Sequence, residues 1–161
     1  MKKTLFLFLA ALVSSCVPVK EKPVLTIGVV TDIHYCRDRE PSKNRYYSLS
    51  ADKLSEAVKY FNRQKVDFTV SLGDTFDPDM RSYQDLEDEF SKLRKPLYKL
   101  LGNHDCIAPY GSARMDSVMA VMGIDNPYYA FSTGKGYRCI FIDGNDISIQ
   151  STAPGSAGRE K

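Results

Sequence analysis

The chain has 161 residues with 22 Lys and Arg against 20 Asp and Glu; residues 1–15 hold Lys2 and Lys3, and without them the two totals are equal. A neutral remainder with no basic block lacks the electrostatic footprint of a nucleic-acid binder, which neutralises phosphates with clustered Lys and Arg. The roughly 145 residues beyond position 16 are the size of one domain with its own hydrophobic core.

In chain order, Lys2 and Lys3 form a basic start, Leu5 to Val13 an apolar stretch, and Val13-Ser14-Ser15-Cys16 a small-residue cleavage site ending in cysteine. The apolar stretch is too short to span a bilayer as a helix. Residues 1–15 are therefore expected to be an export signal. The cysteine resembles that of the bacterial lipobox, which implies lipidation at Cys16, a lipid rather than a basic surface as membrane anchor, and a periplasmic or cell-surface location. Residues 16–23, with Pro18, Pro23 and three charges, read as a tether, residues 24–150 as the domain, and residues 151–161 as a polar, disordered tail.

Within the domain, Val24 to Thr31 is a nearly continuous apolar run, as expected of a strand buried on both faces. Ser50 or Asp52 can cap a helix carrying Leu54, Ala57, Val58 and Phe61 and ending near Gln64. Asp67 to Leu72 is a second strand. A second helix is expected from Ser82, with Leu86, Phe90 and Leu93 on one stripe, stopped by Pro96; Leu97 to Leu101 is a third strand. Ala113 to Met122 forms a third helix, capped by Ser112 and closed by Gly123, and its Met115, Val118, Met119 and Met122 stripe is core. Tyr128 to Phe131 and Tyr137 to Ile142 make a hairpin across Thr133-Gly134-Lys135-Gly136. The order β-α-β-α-β-α-β-β predicts an α/β layered domain with a largely parallel sheet at its start.

Each of the first three strands ends in a polar motif: Asp32-Ile33-His34, Gly73-Asp74-Thr75-Phe76-Asp77 and Gly102-Asn103-His104-Asp105. Open α/β sheets place ligands at the carboxyl ends of their strands. In extended chain, residues i and i+2 face the same way, so Asp32 and His34 can reach one ion together. A carboxylate with an imidazole suits Mn, Fe or Zn better than Ca. Asp74 can bridge to a second ion, Asn103 offers it an amide oxygen, and His104, pointing elsewhere, is free to act on substrate. Asp77 and Asp105 can each orient a ligand by hydrogen bond and need not be ligands themselves. Each motif alone would be an ordinary turn or helix cap. Three of them at three strand ends, holding the only two histidines of the chain, point to a metal centre. Cys36 and Cys106 follow these histidines by two residues, so their thiols could approach each other; Cys139 reads as a small buried hydrophobe.

In order and spacing these motifs resemble the first three of the calcineurin-like metallophosphoesterases, over residues 24 to about 145. The resemblance implies a layered α/β/β/α sandwich and two divalent metal ions (Mn, Fe or Zn). It gives Asp32 and His34 to one metal, Asp74 to the bridge, Asn103 to the other metal, and His104 to the transition state or leaving oxygen of a small phosphate ester. Arg45-Tyr46-Tyr47, the helix around Lys53-Leu54 and Glu56-Ala57-Val58, and Phe141 to Asp146 are similar to the manganese-dependent ADP-ribose/CDP-alcohol diphosphatase branch. That likeness implies nucleotide-diphosphate-like substrates, with Arg45 or Tyr46 near them. His34 departs from the branch, which often has Gln there.

The family's later motifs supply one further histidine and a Gly-His-x-His element, and residues 106–161 contain no histidine. The expectation is a fragment, or a domain that lost its second half and binds metal weakly, with an apolar sheet face or edge exposed. Three functions follow: a lipid-anchored phosphoesterase, an exported remnant without activity, or a phosphodiesterase or nuclease of the same superfamily.

Overall fold

The computed structural model describes residues 24–106 and 112–145. The expected signal, Cys16, the tether and the 151–161 tail lie outside the described residues. Five strands, β1 (Ile27–Val30), β2 (Phe68–Ser71), β3 (Leu97–Lys99), β4 (Tyr129–Ser132) and β5 (Arg138–Phe141), alternate with helices α1 (Ser50–Gln64), α2 (Tyr83–Phe90), α3 (Asn103–Cys106) and α4 (Ser112–Met122). Among the described residues no helix is long and apolar enough to cross a membrane.

The first three strands form a parallel sheet in the order β1-β2-β3, with Val29 opposite Val70 and Val70 opposite Tyr98. All four residues of β2 are buried. A central parallel strand is covered on both faces, and that is why its sequence does not alternate. On one face lie the helices, around Leu54, Val58, Phe76, Tyr83, Leu86, Phe90, Val118 and Met122. On the other lies the antiparallel β4–β5 hairpin, where Phe68, Val70 and Phe141 are buried with Tyr98, Tyr129 and Phe131 against them. Here Tyr98 stacks on Phe131 at 4.0 Å and Tyr129 on Phe141 at 4.6 Å between centroids. Offset stacks of this kind add to the area burial of the rings. The described residues thus form helix, sheet and hairpin layers of the expected α/β/β/α arrangement.

Two expectations about helix starts are corrected. Neither Ser50 nor Asp52 caps α1; a 3-10 turn over Tyr47–Leu49 runs into the helix, and its backbone satisfies the first amides while Ser50 Oγ donates back to Tyr47 O. Likewise α2 begins one residue after Ser82, behind a 3-10 turn capped by Asp79, whose carboxylate accepts the Arg81 amide. A fused 3-10 turn supplies the carbonyls a cap would otherwise replace. α4 ends at Gly123, which takes the left-handed conformation at φ 65°. The side chain of Ser112, its expected cap, lies outside what is described.

An apolar surface is exposed, as expected. Ile140 and Ile142 on the outer side of the hairpin are 67 % and 69 % exposed, and Ile27 and Val29 on β1 are also open. β1 pairs on one edge only among the described residues. Cys36 and Cys106 are buried and unbonded to each other, and Cys139 is half-buried.

Candidate metal centre

The ladder between β1 and β2 does not stop at the strand ends. Leu72 N donates to Val30 O at 2.9 Å, Asp32 N to Gly73 O at 3.2 Å, His34 N to Asp74 O at 2.8 Å and Tyr35 N to Thr75 O at 3.1 Å. Two polar loops are thereby zipped together beyond the sheet. Within them Asp32, His34 and Asp74 adopt left-handed φ of 54°, 47° and 51°. The expectation that Asp32 and His34 share a face of extended chain is therefore corrected: they converge through left-handed turns, not by strand alternation. Non-glycine residues in this region carry strain, and such residues concentrate at functional sites.

The third loop is wedged under the second by two glycines. A Cβ on Gly73, at φ 94°, would lie 2.1 Å from Gly102 N, and one on Gly102 would lie 2.1 Å from Asp74 N. Only glycine permits that approach. Asp105, wholly buried, locks the contact: its Oδ1 accepts Thr75 N at 2.8 Å and Phe76 N at 3.2 Å, and its Oδ2 accepts Gly102 N at 2.8 Å. Burial pushes its carboxyl up to about 6, against the downward pull of these amides. Asp105 is thus a backbone hub, facing away from the ligands.

Above this floor the side chains gather. His34 Nε2 lies 3.6 Å from Asp32 Oδ1 and 3.8 Å from Asp74 Oδ2, while His104 N donates to Asp74 Oδ1 at 2.9 Å. The two imidazoles meet edge to face at 4.5 Å. His104 does not point elsewhere, as the sequence led us to expect. Its Nδ1 lies 3.1 Å from Asp77 Oδ2, which also sits 3.6 Å from His34 Nδ1. Asp77 is buried between both rings. Asn103 opens α3, half-buried, between Gly102 and His104.

Donor atoms of His34, Asp74 and His104 lie within 4.8 Å of one another. Ligands about 2.1 Å from one small divalent ion are separated by about 3 to 4 Å, a spacing that His34 Nε2 and Asp74 Oδ2 already have at 3.8 Å. Burial lowers the pKa of His34, with His104 adding to the effect against Asp74 and Asp77. The ring is held neutral, the form that binds metal. The buried Nδ1 atoms of His34 and His104 lie near Asp77 but off the line of a hydrogen bond, and so remain unpaired polar atoms. A donor set of carboxylates and imidazoles fits a transition-metal ion.

Two arginines frame the site. Arg39 Nη1 contacts Asp77 Oδ1 at 2.8 Å and its guanidinium lies 4.0 Å over the Tyr47 ring; Arg45 Nη1 is 3.8 Å from Asp77 Oδ2. Arg39 was not singled out from the sequence, since it sits among alternating charges that read as a solvated loop. Beside Asp32 and His34 opens a cleft of about 490 Å³, lined by Arg45, Tyr46, Lys53 and Leu54 among others. Arg45 and Tyr46 thus line a cleft beside the centre.

A helix-sheet-hairpin sandwich with this centre at its strand ends defines a metal-dependent phosphoesterase fold, and the chain belongs to the calcineurin-like phosphoesterase family, whose model matches residues 25–154. Its relatives include the manganese-dependent ADP-ribose/CDP-alcohol diphosphatase of Arabidopsis thaliana, 30 % identical over 140 residues that cover 79 % of this chain and 44 % of the relative. The Danio rerio protein of the same name is 29 % identical over 155 residues, covering 80 % of this chain and 48 % of its own length. The structure is similar to a crystal structure of a dimetal phosphatase from Danio rerio, with a TM-score of 0.69 and 25 % identity over 86 % of this chain and 50 % of that one. The chain spans about half the length of the relatives it matches.

Proposed function

We propose that these residues form the first half of a two-metal phosphoesterase centre acting on small phosphate esters, with nucleotide-diphosphate-like molecules as the substrate class. In this reading Asp32 and His34 would hold one ion, Asn103 the second and Asp74 would be shared between them, while His104, beside Asp77, would face the substrate. The observation that carries it is the convergence of Asp32 Oδ1 and Asp74 Oδ2 on His34 Nε2, at 3.6 and 3.8 Å, with the His104 ring against His34 at 4.5 Å. When bound, such ions would lower the pKa of a water and stabilise the oxygens of a displacement at phosphorus. The chain's own residues supply position: Asp77 places a buried carboxylate beside both imidazoles, and the zipped loops hold Asp32, His34 and Asp74 in left-handed turns. Manganese and a diphosphate substrate are favoured by the names of the relatives from Arabidopsis thaliana and Danio rerio.

The test is Mn²⁺ uptake together with hydrolysis of bis-p-nitrophenyl phosphate and ADP-ribose, each lost in Asp74→Ala. Absence of both uptake and hydrolysis in the unmodified chain would refute the reading in favour of an inactive domain. Residues 1–15 as export signal and Cys16 as lipid attachment point complete the proposal, supported by the sequence of that segment alone. Palmitate labelling in a bacterial host, abolished by Cys16→Ser, tests it; labelling that survives the substitution would sink it.

A further inference from the structure

The hairpin layer reaches the ligand loops through one buried amide. Among the described residues β3 pairs only with β2, and the carbonyls of Lys99 and Leu101 point away from it, while Leu100 N donates inward to Ser71 O at 2.8 Å. Side chains of the second layer take both carbonyls: Tyr129 Oη donates to Lys99 O at 2.8 Å and Asn145 Nδ2 to Leu101 O at 3.0 Å. They act as two rungs of a ladder that no strand supplies. Asn145 is 6 % exposed, and the same Nδ2 donates to Asp143 Oδ1 at 2.6 Å, which also accepts Asn145 N at 2.9 Å. Both amide hydrogens are committed, which fixes the side chain's orientation.

Leu101 is the last residue before Gly102-Asn103-His104. Beyond it the loop is held at the Gly102 amide by Asp105 and at the His104 amide by Asp74. Asn103 therefore sits in a short span whose entry is set by Asn145 and whose exit is set by Asp74. We infer that Asn145 is a positioning residue, which aims Asn103 at its ion by anchoring the Leu101 carbonyl. The inference rests on the two-ion reading above. It gives the hairpin layer a role in the centre besides covering the sheet.

The test compares Asn145→Ala with Tyr129→Phe, which removes the neighbouring rung one pair of residues further from the loop. Hydrogen exchange of the peptide 101–106 and Mn²⁺ stoichiometry by electron paramagnetic resonance are the readouts. In Asn145→Ala exchange in this peptide should speed up, and one of two Mn²⁺ ions should bind about 10- to 100-fold more weakly, the usual effect of removing a group that orients a ligand. The other ion should bind as before. Tyr129→Phe should leave both affinities unchanged. Unchanged uptake in Asn145→Ala, or equal losses in the two variants, would overturn the inference and leave the two-ion reading standing. An unmodified chain that takes up no Mn²⁺ and hydrolyses neither substrate would overturn both.

Discussion

Replacing Asp105 tests whether the centre is held from below. In Asp105→Ala the amides of Thr75, Phe76 and Gly102 lose their acceptor, the first two in a place water does not reach. Each stranded amide costs about 1–3 kcal/mol, so the gross loss is about 3 to 9 kcal/mol. Against it stands the cost of burying the carboxylate: a carboxyl raised from 3.8 to about 6 carries a penalty of about 3 kcal/mol at neutral pH. The expected net loss is about 3 kcal/mol, read by urea unfolding at pH 7. Asp105→Asn keeps an oxygen for Thr75 and Phe76 but turns an NH₂ toward Gly102 N, so it should cost about 1–2 kcal/mol, less than alanine. The pH dependence has a definite sign. The folded chain holds the Asp105 proton to higher pH than the unfolded one, so this group adds stability as pH falls from about 6 to 4. The gap between the unmodified chain and Asp105→Ala should therefore widen over that window. An Asp105→Ala chain more stable than the unmodified one at pH 7, or a gap that narrows on acidification, would refute the hub.

Three further outcomes are expected. His34 has a lowered pKa in the fold, so the metal-free protein should lose stability as pH falls below about 6.5, where the unfolded chain takes up the proton first; His34→Gln should abolish that contribution in pH-dependent thermal melts. Gly73→Ala should cost at least about 1–2 kcal/mol from its left-handed φ alone, and more from the 2.1 Å overlap with Gly102 N; urea unfolding within about 0.5 kcal/mol of the unmodified chain would contradict the wedge. Phe141→Ala should cost about 3–5 kcal/mol and expose the sheet face to ANS, since the ring is buried and stacked on Tyr129.

Parts of this molecule were legible where local chemistry and burial agree. The β2 run of Phe68 to Ser71 reads as strand because it is covered on both faces, and the Leu54, Val58 and Phe61 stripe reads as helix because one side of α1 meets the core. Asp32, His34, Asp74 and His104 stood out because polar residues rarely follow three apolar runs in this pattern. The helix starts were not legible, because the carbonyls that satisfy them come from 3-10 turns with no sequence signature of their own. Nor was the division of labour between Asp77 and Asp105. Both follow glycine motifs at similar spacing, yet one lies between two imidazoles and the other beneath the backbone, a difference made by how the loops cross.

Left-handed conformation outside glycine occurs in the described residues at Asp32, His34, Lys43, Lys65 and Asp74, and three of these five carry the centre. Each costs about 1–2 kcal/mol relative to an ordinary turn, so together they would favour a looser loop by several kcal/mol. The loops nevertheless keep that shape, because the backbone bonds at Asp32 and His34 continue the β1–β2 ladder through the strained residues and Asp105 closes the floor beneath them. A loop relaxing at Asp32 or His34 would have to break those bonds, and one relaxing at Asp74 would meet Gly102. The strain is thus locked by elements that touch no ligand. It follows that the donor atoms are gathered before any ion arrives, and that weakening the floor should disturb metal uptake even though Asp105 faces away from the ligands.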